Sequence, residues 1–334
     1  MFRNLKTGFY YSAFFLLTAP LVASAHVKWF IDEHSSKEIL HENWGYYSLV
    51  WISVAIFFVG FGIFLERHLP HISKHTQYKI NSLKHKIASL FGMALGVFFL
   101  IASYKGFLFS HNLDDLWILE SPLIAIQALI GLGFLVGFGV RVLSVLLIFL
   151  WIFSFFYVGP IDMLEALWVL GGAAVSLIYG RSHFKISREG DFSNKFFLVH
   201  EEYAIPLLRV FVGLDLIILG FSEKILNPNL GLLFLEKFHW NFMQNLGVDW
   251  FSDYLFVFSA GGVEILFGLI LVLGVITRIN TLVLGIVFTI PVFLMGPSEL
   301  IGHMPHFIAV FMLLIFGSGT KLKFVKSTRP QHGS

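Results

Sequence analysis

Nine stretches of this sequence are apolar for long enough to cross a bilayer: about 46–65, 87–105, 123–140, 142–159, 161–180, 203–221, 255–275, 279–295 and 306–320. A spanning helix needs about 20 mostly apolar residues, and several of these runs sit near the lower limit. Few folds remain open to such a chain. Within hydrocarbon every backbone N–H and C=O must be paired internally, and at these run lengths that means helices. Only 13% of the residues are charged, about half the share in soluble domains. The expected fold is therefore an all-α integral membrane protein in contact with the lipid bilayer. A net charge of +2 gives no basis for a nucleic-acid partner, and the absence of cysteine excludes disulfides and thiol redox chemistry within this chain.

Residues 1–25 have the layout of a signal peptide, with an uncleaved anchor helix as the alternative. Arg3 and Lys6 precede a short apolar run, Pro20 breaks it, and Ala23-Ser24-Ala25 fits a small-residue cleavage site. Cleavage there makes His26 the mature N-terminus, whose α-amine and imidazole form a chelating pair suited to copper. His34 and His41 follow at helical spacing in the outer segment 26–45. The competing reading of that segment is an amphipathic interfacial helix with ordinary polar-face histidines.

Lysine and arginine set the orientation. With residue 26 outside, segments 66–86, 181–202 and 321–334 and the turns at Arg141 and Arg278 face the cytoplasm and hold 15 basic residues, against five outside. That asymmetry satisfies the positive-inside rule. The expected location is a cell inner membrane, with the mature N-terminus periplasmic and the C-terminus cytoplasmic. Loop 66–86, with five Lys/Arg and four histidines, reads as a charged cytoplasmic loop.

The chain also repeats itself. At an offset of 137 residues, 123–160 aligns without a gap to 260–297, with nine of 38 pairs identical. They include Arg141/Arg278 at a turn and Gly159-Pro160/Gly296-Pro297 at the opposite end, and Gln127 pairs with Glu264. The expectation is one leading helix, 46–65, followed by two four-helix units, 87–180 and 203–320. An even number of spans per unit makes the repeats parallel.

The second unit carries a resemblance to a known family. LLRVFVGLDLIILGFSEKI opens with Arg209 and closes on Lys224, GGVEILFGLILVLGVITRIN supplies Glu264 and Arg278, and GSGTKL follows the last helix. This order resembles the DoxX family of four-helix membrane proteins, well over the last 120 residues or so and faintly over the first unit. The resemblance implies a shared helical fold and a role in quinone-linked respiration or redox homeostasis.

Ionisable groups inside apolar spans cost roughly 2.5–3.5 kcal/mol each on insertion scales and mark candidate sites. Asp215 lies mid-span, Glu264 lies in the next helix, and Lys224 at a helix end is a candidate partner for Glu264; a structural ion pair is the alternative. Arg209 is expected to snorkel to the cytoplasmic surface. In the outer loop GPSELIGHMPHF, His303 and His306 share a face if helical, and fit either a metal ion or a quinone carbonyl. Loop 221–254 is too apolar for a solvated linker and reads as an amphipathic helix over the second unit, serving as a lid, an interface anchor or the surface for a redox partner.

Three functions follow. The first is an accessory subunit with an outward-facing site built from Glu264, Asp215 and Lys224, where His303 and His306 contact a quinone or other ligand. The second is copper handling, with capture by His26, His34 and His41 and transfer to His303 and His306. The third is a non-catalytic assembly partner.

Overall fold

A computed structural model of the chain describes residues 44–69, 72–110, 113, 120–180, 197, 199–296 and 299–325. The signal segment, His26, His34 and His41 lie outside the described residues. The described elements are all helical: α1 (Trp44–His68), α2 (Lys74–Lys105), α3 (Glu120–Val136), α4 (Val140–Tyr157), the short α5 (Pro160–Leu164), α6 (Trp168–Tyr179), α7 (Ala204–Gly220), a π turn (Phe221–Ile225), α8 (Pro228–Phe238), α9 (Phe242–Asn245), α10 (Asp253–Leu273), α11 (Thr277–Met295) and α12 (Glu299–Phe316). Six helices are long and apolar enough to cross a membrane, and three further apolar helices, Pro122–Val136, Trp168–Tyr179 and Thr277–Phe293, are shorter.

Two boundaries differ from the hydropathy pattern. The connection within 66–86 is brief, because α2 starts at Lys74 and its first three turns are the polar run KHTQYKINSLK. That run contains no Gly or Pro, and its three lysines, Gln77 and Leu83 are good helix formers. The Ser73 side chain accepts from the Thr76 N–H and caps the start. Hydropathy sees only the later, apolar part. The stretch 161–180 is interrupted: α5 stops at Leu164 and α6 starts at Trp168.

Helix packing follows the internal repeat. In the first half α2 packs on α3, α3 on α4, α4 on α6 and α6 back on α2; in the second half α7, α10, α11 and α12 close the same circuit. Side-chain bonds match as well. Arg141 Nε donates to the Leu177 carbonyl at 3.1 Å, and 137 residues later Arg278 Nε donates to the Leu314 carbonyl at 3.2 Å. The glycine pairs Gly137/Gly274 and Gly180/Gly317 share positive φ. A Cβ at Gly96 would meet the Gly131 carbonyl at 2.7 Å, and one at Gly213 would meet the Gly268 carbonyl at 2.7 Å, so both units cross their first two helices backbone to backbone.

The units join reciprocally. The last helix of the first, α6, packs on the first helix of the second, α7, while α12 packs on α2. That reciprocity is what an approximate two-fold relation produces. One apolar core runs through both, from Phe91, Phe98 and Phe99 to Leu216, Leu284 and Met312. Helix α1 lies outside this arrangement against α10. Its Trp51 covers Gly262, and its Glu66 Oε2 accepts from the Ile276 N–H at 2.9 Å.

Candidate functional site

The polar residues singled out in the second unit come together two by two. At the end of the bundle opposite Arg141 and Arg278 (the glycine end), α7 passes into the π turn Phe221–Ile225. Such turns insert a residue into a helix and recur at functional sites. Here the turn carries Ser222, Glu223 and Lys224. Lys224 Nζ lies 2.9 Å from Glu264 Oε2 and 3.8 Å from Glu223 Oε2. The Glu264 side chain stays 25% exposed, so this pair has access to the surroundings.

The second pair lies deeper. Asp215 is fully buried, and its Oδ2 is 3.0 Å from His306 Nε2. Its Oδ1 accepts the Trp168 N–H at 3.3 Å. That donor is available because the fourth helix of the first unit restarts at Trp168, which leaves first-turn N–H groups without helical acceptors. The carboxylate therefore faces the positive end of α6. His306 follows Pro305, which interrupts the hydrogen-bond ladder of α12 at the position 137 residues after Trp168. Both fourth helices are thus disturbed at the same level, and the acid–imidazole pair sits there.

The His303 Nδ1 lies 3.0 Å from the Glu299 carbonyl one turn earlier, and the His303 and His306 rings both pack against Phe288, at 5.5 Å and 5.2 Å. Among the described residues no group of three or more His, Asp or Glu is placed to hold a metal ion.

Reading 161–180 as one continuous span misses one group. Glu165, buried at the end of α5, accepts from Ser222 Oγ at 2.5 Å. It also lies within electrostatic range of Lys224. An acidic residue five positions after Pro160 in an otherwise apolar run was the available signal. Between Glu165 and His306 lies a cavity of about 20 Å³, lined also by Phe98, Ser110, Trp168 and Pro305. That is room for one water molecule.

Among the described residues, the first-unit positions that match Glu264, Asp215 and His306 hold no ionisable side chain. Gln127, in the place of Glu264, is fully buried; it accepts from the Phe109 N–H at 2.8 Å and donates to Ser103 Oγ and the Phe107 carbonyl. Counted from the shared helix crossings, Phe98 stands where Asp215 does and Val169 where His306 does.

Arg209 is fully buried rather than at the surface. Its Nη1 donates to the Leu271 and Val272 carbonyls at the end of α10, and its Nη2 donates to the Leu322 carbonyl at 2.6 Å. The end of a helix leaves carbonyls without partners, and a guanidinium fork satisfies several at once. These three carbonyls hold the Arg209 guanidinium inside the bundle.

In comparisons with known proteins, no family model, no curated protein and no solved structure matches this chain.

Proposed function

We propose that this chain is a DoxX-like inner-membrane protein that handles protons for a quinone-linked respiratory or redox-homeostasis partner. In this reading the six long apolar helices and the three shorter ones make nine spans, after a cleaved signal segment. The two four-helix units then run parallel about an axis along the membrane normal, and the glycine end faces the periplasm. One observation carries the proposal: where the first unit has Phe98, Val169 and Gln127, the second has Asp215, His306 and Glu264, held in the pairs Asp215–His306 and Lys224–Glu264. A bundle that needed only packing would keep the Phe98, Val169 and Gln127 solution, because buried ion pairs are a costly way to hold helices together.

Glu264 is the group that exchanges protons with the surroundings, and Lys224 holds it in place. Asp215 and His306 form the inner acceptor. The partner surface is the segment after the π turn. There α8 packs on α10 while Phe242, Leu246 and Trp250 stay exposed.

The test is oxygen uptake by membranes from a host that lacks the chain, complemented with wild type, Glu264→Gln or Asp215→Asn. Uptake is expected to fall to the deletion level with either variant, at normal chain abundance. Wild-type uptake with both would assign the chain to assembly instead. Native mass spectrometry separates this function from copper handling: a chain beginning at His26 with a retained metal ion would transfer the assignment to copper.

A further inference from the structure

We propose that Glu165, a residue of the first unit, joins the two polar pairs of the second into a single proton path that crosses the seam between the units. The inference rests on the proton-handling function above and adds its route. Beginning from the partly exposed end, the path consists of Glu264, Lys224, Ser222, Glu165, one water and His306, ending on Asp215. Lys224 Nζ is 2.9 Å from Glu264, Ser222 Oγ is 2.5 Å from Glu165 Oε1, and His306 Nε2 is 3.0 Å from Asp215 Oδ2. The cavity of about 20 Å³ bridges Glu165 and His306, Lys224 and Ser222 sit two residues apart on the π turn, and a buried water bonded to polar walls is a stable component of such a site.

The chemistry is proton transfer alone, with no redox step. A proton leaves the Glu165 carboxyl through the water and is taken up by His306 at Nδ1, the ring nitrogen that Asp215 does not hold. The imidazolium formed is stabilised by the Asp215 carboxylate. Asp215 in turn is fixed by the Trp168 N–H and cannot swing away from the ring. Lys224 and Glu223 face the same stretch from the π turn. Both units supply parts: Glu165, Trp168 and Ser110 come from the first, and the remaining side chains from the second.

The experiment uses the full chain, 15N-labelled at histidine and reconstituted in proteoliposomes. Magic-angle-spinning NMR follows loss of the His306 ring N–H signal after transfer to D2O, with the signal assigned by its disappearance in His306→Gln. Glu165→Gln is expected to slow this exchange by about tenfold or more, because a carboxyl that passes protons is replaced by an amide of the same shape. Ser222→Ala is expected to slow it as well, and it removes too little volume to threaten folding. Glu202→Gln, at the opposite end of the bundle, leaves the rate unchanged. Wild-type exchange in both Glu165→Gln and Ser222→Ala would overturn the path. If exchange slows while Glu264→Gln membranes respire normally, the path stands and the redox assignment fails. If respiration is lost in Glu264→Gln but exchange ignores Glu165, the function stands and the path fails.

Discussion

Arg209 and Asp215 lie six residues apart on one helix, and both are fully buried, yet they do different work. Arg209 is spent on backbone carbonyls. Arg209→Met strands acceptors at the end of α10 and is expected to lower the unfolding free energy by about 3 kcal/mol, since each buried orphan costs about 1–3 kcal/mol. Titration of the purified protein with denaturant in micelles, read by tryptophan fluorescence, checks this. Gly274 must stay a glycine for the same reason: it has φ of +69°, and a Cβ there would lie 2.5 Å from Arg209 Nη1. Asp215→Asn should behave otherwise. The amide oxygen still accepts the Trp168 N–H, so the thermal midpoint moves little, while His306 loses its carboxylate partner. NMR of the 15N-labelled histidines in wild type and variant decides it: an unchanged His306 ring signal would contradict the pairing.

At the level of helices, the decisive contacts are the glycine crossings. Gly213→Val drives a branched side chain into the Gly268 carbonyl and Val272, and overpacking of this kind costs about 1–3 kcal/mol. Gly96→Val meets the Gly131 carbonyl in the same way, so the two variants should lose similar stability in a thermal melt. Much of this level was legible beforehand. The 137-residue offset located Arg141, Arg278 and the paired glycines, and the structure gives them the same bonds and the same φ region. The polar start of α2 was hidden because hydropathy reports only apolar residues. The break before Trp168 was hidden too, since Glu165 to Leu167 contains no Gly or Pro and the stop depends on a tertiary partner, Asp215, 47 residues away. Lys224 could be named as a candidate partner for Glu264 because it ends the preceding helix, and the two lie 2.9 Å apart. The Asp215–His306 pair was not legible, because its partners come from opposite ends of the unit and meet only when the circuit of helices closes.

For the molecule as a whole, the seam between the units matters most. Gly171 of α6 touches the backbone of α7, where a Cβ would lie 3.2 Å from Leu208 Cα. Gly171→Leu is expected to wedge the units apart, reduce amide protection in α6 and α7 together, and leave the α11–α12 pair protected; hydrogen exchange read by mass spectrometry resolves those segments. Because the α6 N-terminus holds Asp215, the same variant should also disturb His306, at a distance from the substitution. Two separate copies of one unit, paired about a true two-fold axis, would have to present every polar core position twice. Joining both units in one chain lifts that obligation, and Phe98 and Val169 stand where the other half has Asp215 and His306. Among the described residues the shared core then holds one fully buried acid–imidazole pair, so proton uptake coupled to this pair counts in ones.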